Sequence, residues 1–335
     1  MTTSTRVLVT GATGCLGRHL VDDLVRTGHQ VRALVRDSSR VEHLEASGVE
    51  IQRGSLTDDA DVRRAVAGVE VVYHLGGLVI DDRPDDTSRA LWEQIRRVNV
   101  DGSQRLAQLA AQSGARRFVF CSSVRIFGFG NQMRWHEDDP RTASDLYSRG
   151  KAQAEHALLR IGRATGLEVV NVRPRFIYGN HDRYVMPKLV KQVRRGWVPL
   201  VGDGAICDLV YVEDCVQALR LAADRPVAGH SFNITSGECL SLRDILADVA
   251  RALGRPIQFV PLPGPAVFGL ATAVELGSQL VGARPPISRA QLRWYLNDHH
   301  FSIDKARREL GYQPRYRLPE ALRKIDLQQF VAHGG

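Results

Sequence analysis

A tyrosine and a lysine four residues apart are the groups in this chain best suited to move a proton together. They are Tyr147 and Lys151, in the run Tyr147-Ser148-Arg149-Gly150-Lys151. On a helix, this spacing puts both side chains on one face. An ammonium beside a phenol favours the phenolate, so Lys151 is expected to bring the Tyr147 pKa down toward working pH. Lys151 can also hold a cofactor ribose. Ser122 and Ser123 end an apolar run at 117–122, and a hydroxyl at a strand end can hydrogen-bond a substrate oxygen. These groups suit a reaction in which hydride moves at carbon while the tyrosine moves a proton on the attached oxygen. The chain has 8 Tyr and 5 Lys, so a chance pair at this spacing is expected roughly 0.1 times. A second pair nevertheless exists, Tyr184 and Lys188. Pro187 lies inside it and disfavours a continuous helix, and no serine-bearing strand closely precedes it. We read it as the entry to a surface helix.

Proton chemistry beside a hydride needs a nucleotide site, and the N-terminal region supplies one. Gly11, Gly14 and Gly17 punctuate the run at 10–17. The first glycine permits a tight turn, the second lets backbone approach a pyrophosphate, and the third lets helix and strand pack closely. Backbone N–H groups of Thr13, Cys15 and Leu16 would then face the phosphates at the start of a helix. Between an apolar strand and an amphipathic helix, such a triplet is a specific signal. The second strand ends Leu34-Val35-Arg36-Asp37. An arginine there suits a ribose 2′-phosphate, whereas an acid suits free ribose hydroxyls. Arg36, with Arg18 as a second cation, favours NADP (NADPH); Asp37, one residue on, keeps NAD open.

The elements that position these residues follow from periodicity. Apolar runs at 6–10, 30–35, 49–53, 69–75, 117–122 and 168–173 alternate with amphipathic helices at 16–27, about 88–113 and 147–165. Short apolar strands between helices indicate parallel strands buried on both faces. The expected fold is therefore α/β, a doubly wound parallel sheet (Rossmann) with a smaller C-terminal substrate lobe. Residues 1–175 form the dinucleotide-binding domain, and 176–335 form mainly the substrate lobe. Part of 205–236 returns to the first domain, with 232–235 as a further edge strand.

Composition limits the remaining classes. At 335 residues, 44% hydrophobic and 24% charged, the chain has a globular makeup. The net charge of +8 comes from 40 Arg and 5 Lys, but basic residues cluster only as doublets such as Arg116-Arg117. No nucleic-acid partner is expected. Cys15, Cys121, Cys207, Cys215 and Cys239 form no CxxC pair, so no metal site is expected, and a reducing, cytoplasmic setting is. No leader is read at the N-terminus. The apolar stretch at 259–282 contains Pro261, Pro263, Pro265 and Glu275 and is too interrupted to span a membrane. Val267, Leu270, Ala271 and Val274 share one helical face. That face suits a packed helix, a lid over a hydrophobic substrate, or peripheral contact with a membrane surface.

The sequence resembles the extended short-chain dehydrogenase/reductases over nearly its whole length. The resemblance rests on TGATGCLG (10–17), HLGG (74–77), Asn99-Val100-Asp101-Gly102, FCSSVRIFG (120–128), YSRGK (147–151), RPRFIYG (173–179) and DLVYVEDCVQAL (208–219). It implies that Tyr147 is the general acid/base, Lys151 its activator and ribose ligand, and Ser123 the substrate-oxygen ligand. It further implies that Asn99 orders the active-site helix and that Gly76, Ser55, Leu56, Pro174 and Ile177 line the cofactor. The C-terminal part is most similar to the 3β-hydroxysteroid dehydrogenase/isomerase-like group, through Arg284-Pro285-Pro286-Ile287-Ser288-Arg289 and the run from His300 to Tyr312. A homodimer is implied by the same resemblance. Ser55 stands where the family usually has an acid for the adenine amine, and Gly179 lacks the proline that usually follows. His181, in that loop, is a candidate substrate ligand.

The expected reaction is alcohol–ketone interconversion on a small hydrophobic substrate that is sterol-, terpenoid-, polyketide- or long-chain keto acid-like. A nucleotide-sugar epimerase or dehydratase shares the same Tyr, Lys and cofactor. It would need a diphosphate site, for which Arg175, Arg183, Lys188 and Arg194 are the candidates. A dehydratase also usually carries acids beside the serine, where this chain has Val124 and Arg125. A non-catalytic NAD(P)-binding regulator is a third class, disfavoured because Tyr, Lys and Ser are all present.

Overall fold

The apolar runs pair into one sheet. A computed structural model describes residues 4–79, 88–128, 134–280 and 297–331. The first half runs β1 (Arg6–Thr10), α1 (Cys15–Arg26), β2 (Gln30–Val35), α2 (Glu42–Ala46), β3 (Glu50–Arg53), α3 (Asp59–Val66) and β4 (Val71–His74). It continues with α4 (Arg89–Ile95), a π-helical turn (Arg96–Asp101), α5 (Gly102–Gln112), β5 (Arg117–Cys121), a 3₁₀ turn (Val124–Phe127), α6 (Leu146–Thr165) and β6 (Glu168–Pro174). Then come β7 (Ile177–Tyr178), α7 (Met186–Arg194), β8 (Trp197–Leu200), β9 (Val210–Tyr211), α8 (Val212–Asp224) and β10 (Ser231–Ile234). Last are α9 (Leu242–Ala252), β11 (Gln258–Pro261), α10 (Gly264–Leu280), a π turn (Ala306–Leu310), α11 (Leu318–Leu322) and α12 (Gln328–Val331).

Seven strands lie in the order β3-β2-β1-β4-β5-β6-β10, and every pair is parallel. The strand expected at 232–235 is β10, which adds to β6 with Phe232 opposite Val172. Strand order reverses between β1 and β4, so a crevice opens at their carboxyl ends, where such sheets bind ligands. Helices cover both faces. Leu20, Val21 and Leu24 of α1 pack with Ala218 and Leu219 of α8 on one face. Val62, Leu106, Ala154 and Leu158, from α3, α5 and α6, pack on the other. Each such fully buried leucine contributes about 1.5–3 kcal/mol relative to exposure. Two small sheets, β8 with β11 and β7 with β9, complete the rest.

The helix expected over 88–113 is broken into α4, the π turn and α5. The extra residue of a π turn lets the backbone bulge, and here the bulge carries Asn99. The Tyr184 segment behaves as expected. Tyr184 precedes α7, and Pro187 sits in that helix's first turn, where a missing N–H costs nothing. Helix α10 covers the apolar stretch, and Val267 and Val274 are half-buried. The side chains of Leu270 and Ala271, and the 284–289 run, lie outside the described residues. Among the described residues, no helix is long and apolar enough to cross a membrane, and no cluster of His, Cys, Asp or Glu could hold a metal ion.

Candidate active site and nucleotide crevice

The glycine loop is shaped to bring backbone together. Gly11 has φ +73, and a Cβ there would lie 2.8 Å from the Gly76 nitrogen. A Cβ on Gly17 would lie 2.1 Å from the Gly11 carbonyl oxygen, which no side chain tolerates. Gly14 is the N-cap of α1 and offers no side-chain cap. The first N–H groups of that helix, on Cys15 and Leu16, therefore retain donors for an anion, with Thr13 in the turn just before them. This cradle fits a dinucleotide pyrophosphate. At its rim, Arg36 is exposed at the end of β2, and Arg53 Nη1 donates to the carbonyl oxygen of Asp37 at 2.9 Å. His181 adopts φ 65 and lies beside α1, with its ring 6.2 Å from that of His19. Burial, then the charge of Arg18, depress its pKa.

A buried relay ties this loop to the helix that follows β4. Gly76 N donates to Thr10 Oγ1 at 3.0 Å, and Thr10 Oγ1 is 2.7 Å from His74 Nδ1. His74 Nε2 is 2.8 Å from Ser103 Oγ, which donates to the Asn99 carbonyl at 2.7 Å. Because the Ser103 hydrogen is committed, Nε2 must carry the imidazole proton, and Nδ1 accepts from Thr10. One neutral tautomer satisfies every group. Asn99 in turn clamps Leu78: its Oδ1 accepts from Leu78 N at 2.6 Å and its Nδ2 donates to Leu78 O at 2.9 Å. Asn99 thus orders the backbone after β4; among the described residues its side-chain bonds go to Leu78 and not to the Tyr147 helix for which it was expected.

Burial, with a lesser push from Lys151, depresses the His74 pKa to about 3. This value lies below the ordinary histidine value of about 6.5, so the folded state binds the proton more weakly than the unfolded one. The stabilisation is complete above about pH 6.5 and is lost as pH falls toward 3, up to about 5 kcal/mol in all. We expect one proton to be taken up on unfolding between pH 6 and 4, and His74→Gln to flatten that slope of stability against pH. Equal slopes in denaturant titrations of the two proteins would contradict the assignment.

Helix α6 carries the two proton-handling residues. Asp145 caps it: its Oδ1 accepts from Ser148 N at 2.9 Å, and Ser148 Oγ is 3.1 Å from Asp145 N. Such a capping box fixes where the first turn begins, and Tyr147 lies in that turn. One turn later Lys151 is buried, with Nζ donating to the Cys121 carbonyl at the end of β5, 2.8 Å away. It also lies 4.6 Å from the centre of the Phe120 ring. Ser123 follows immediately after β5. Its Oγ accepts from Arg125 N at 3.2 Å, and among the described residues its own hydrogen is uncommitted, so it can donate to a substrate oxygen. The sheet edge therefore gathers Ser123, Tyr147 and Lys151, with Asn99 close behind. A Cβ built on Gly77 would lie 3.2 Å from Asn99 Oδ1 and 3.8 Å from Lys151 Nζ.

The expected lowering of the Tyr147 pKa is not what the structure gives. Burial pushes the phenol above its ordinary value, and the cation that opposes this most is Arg125, not Lys151. Arg125 lies over the Tyr147 ring, 5.8 Å from its centre. Lys151 is itself lowered by burial and committed to a carbonyl. Helical spacing puts the two side chains on one face, but desolvation of both outweighs the charge of Lys151.

Other expected site residues are dispersed around the crevice. Ser55 Oγ accepts from Thr57 N at 3.1 Å and lies 2.8 Å from Thr57 Oγ1, so it closes a local turn. Leu56 packs near Gly102. Pro174 ends β6 opposite Ile234, and Ile177 begins β7. The diphosphate candidates differ in exposure. Arg175 is buried and stacked 3.8 Å from the centre of the Phe176 ring, whereas Arg183, Lys188 and Arg194 are exposed.

The sequence reading missed the polar support of β6. Arg173 and Glu155 are both fully buried and pair through two bonds, each 2.8 Å. Arg173 Nη1 also reaches the Glu137 carbonyl at 3.1 Å, and Arg141 lies 3.2 Å from Glu155. Asp145 was detectable in principle, as an Asp three residues before a Ser at a helix start.

A family described as NAD dependent epimerase/dehydratase matches residues 7–235. A protein named 3-beta-hydroxysteroid dehydrogenase, from Mycolicibacterium neoaurum, is 31% identical over 95% of this chain and 89% of its own. One named 2-alkyl-3-oxoalkanoate reductase, from Stenotrophomonas maltophilia, is 30% identical over 96% of this chain and 98% of its own. Among solved structures, one described as gox2253 superimposes with a TM-score of 0.82, at 26% identity, over 99% of both chains.

Proposed function

The chain belongs to the NAD dependent epimerase/dehydratase family, and from that premise we propose that it interconverts a ketone and an alcohol on a hydrophobic substrate, with Tyr147 as the proton donor and acceptor. It is an NAD(P)-dependent dehydrogenase/reductase of the extended short-chain type. The observation that carries the finer reading is the packing of α6 on β5. It holds Lys151 against the Cys121 carbonyl, with Tyr147 one turn earlier and Ser123 two residues beyond Cys121. The names of the steroid dehydrogenase and the oxoalkanoate reductase support a carbonyl on an apolar skeleton. Residues 176–335, mainly, would supply the lobe that covers it.

Bound nicotinamide supplies or accepts the hydride. The chain's own part is to hold the cofactor and handle the proton. The Gly11–Gly17 loop and the N-terminus of α1 bind the pyrophosphate. Lys151 holds the ribose, and Ser123 donates to the substrate oxygen. Tyr147, a phenol whose pKa is raised by desolvation, starts as the acid that ketone reduction requires. Absorbance at the nicotinamide band, with NADPH or NADH and a panel of apolar ketones and alcohols, tests this reading. Absence of turnover on every member would overturn it.

NADPH is the favoured cofactor, because Arg36 sits at the end of β2 where a 2′-phosphate would lie. We expect Arg36→Ala to weaken NADPH binding roughly 10–100-fold, the worth of a charge-assisted contact, and to leave NADH nearly unaffected. Calorimetric titration of both cofactors measures this, and equal weakening would assign Arg36 to the shared adenine instead. The five cysteines are free thiols, which suits a reducing, cytoplasmic setting. A homodimer through α5 and α6 would bury a polar strip, since Arg149, Gln153, His156 and Arg160 are exposed along α6. Light scattering reads that state directly.

A further inference from the structure

We propose that Arg125 is a substrate-anion ligand, and that the preferred substrate carries a carboxylate close to its reducible carbonyl, as a 3-oxo acid does. This rests on the ketone reduction proposed above and narrows it.

Arg125 is placed by its neighbours on both sides. Its backbone N–H is tied to Ser123 Oγ at 3.2 Å, two residues from the hydroxyl assigned to the substrate oxygen. Its guanidinium lies over Tyr147, 5.8 Å from the ring centre. The charge therefore sits beside the Tyr147 ring, on a turn whose N-cap is Ser123. Among the described residues only Nε is used, pairing with Asp145 Oδ2 at 2.8 Å. Among the described residues, neither terminal nitrogen makes a hydrogen bond, and the side chain keeps 21% of its exposure. The pair is thus anchored on one edge and open on the other, the geometry in which a guanidinium takes a second carboxylate through two parallel bonds.

The local charge balance points the same way. Asp145 is nearly buried and is spent on Arg125 and on capping α6. Arg175 is a second buried cation, close enough that Arg125 disfavours its charge. Asp208, the next carboxylate, is taken up by His300 and by the Phe301 backbone. A carboxylate next to the carbonyl would meet the open edge of Arg125 through charge-assisted bonds, which an uncharged ketone cannot make. A dehydratase-type acid at position 125 would repel the same group.

In the step implied, a hydride adds to the carbonyl carbon of the 3-oxo acid. The carbonyl π pair moves to oxygen, which takes the Tyr147 proton. The cofactor is oxidised, the ketone becomes a 3-hydroxy acid, and the carboxylate is unchanged on Arg125.

The test compares a 2-alkyl-3-oxo acid with its methyl ester, in the wild type and in Arg125→Ala, Arg125→Lys and Asp145→Asn. The wild type is expected to favour the acid in kcat/KM by roughly 10–100-fold, the worth of a charge-assisted pair. Arg125→Ala is expected to erase that preference, mainly through KM for the acid, and Arg125→Lys to restore part of it. Asp145→Asn keeps an N-cap and the Arg125 charge, so the preference should persist. Equal losses on acid and ester in Arg125→Ala, matched by Asp145→Asn, would overturn the proposal and leave Arg125 as support for α6. A wild type that reduces neutral ketones with no preference for the acid would also overturn it, while sparing the reductase reading. If nothing is reduced, that reading fails instead, and binding of the 3-hydroxy acid to wild type but not to Arg125→Ala still decides the anion site.

Discussion

Tyr147→Phe is expected to lower kcat by about 10²–10⁴-fold, the usual worth of a positioned proton donor, while leaving cofactor affinity within about twofold. The hydroxyl is the only group removed. The capping box that starts α6 uses Asp145 and Ser148, and Lys151 keeps its bond to the Cys121 carbonyl. The scaffold therefore has no reason to move. Calorimetry for the cofactor and stopped-flow absorbance for turnover separate the two effects. If the variant reduced ketone at the wild-type rate, the proton would have another source. If it lost cofactor binding as well, Tyr147 would be acting on the nucleotide.

The second large effect is on stability. Glu155→Ala is expected to cost about 3–5 kcal/mol, because it strands the charge of Arg173 in a fully buried site. Arg141 loses its partner too. The damage should spread to β6, whose last residues, through Pro174, lie against the crevice. Urea titration reads it as a lower midpoint at similar slope. A change below about 0.5 kcal/mol, the size typical of an indifferent surface site, would show that the pair is not holding β6 in place.

The sequence made these two effects unequally visible. The phosphate loop is local: three glycines, a strand before them and a helix after them sit within about a dozen residues. Periodicity and turn chemistry were enough to place it. Tyr147 and Lys151 were visible for the same reason, one helical turn apart. The doubly wound sheet followed from apolar runs of buried-strand length, and even the edge strand β10 was visible as one.

What stayed hidden depends on which strands lie side by side. The relay through His74 joins residues 64 and 29 positions apart in the chain. It exists only because β1 and β4 are neighbours, which alternation of elements does not specify. Arg173 and Glu155 meet because α6 packs on β6. Nothing in the spacing of positions 155 and 173 marks them as partners. Arg125 was noticed only for not being an acid; its place over Tyr147 needed the turn after β5. The sign of the Tyr147 shift was misread because a pairwise charge argument omits desolvation, which acts on half-buried Tyr147 and on buried Lys151 alike.

The central claim is that a hydride ends on the substrate carbon that carries the new hydroxyl. The direct measurement is a single turnover with reduced cofactor deuterated at the transferring position of the nicotinamide, and mass spectrometry of the product. The account predicts one deuterium on that carbon, together with one equivalent of oxidised cofactor. A product changed in configuration but free of deuterium, with the cofactor returned in its starting oxidation state, would contradict it and place the chain with the epimerases.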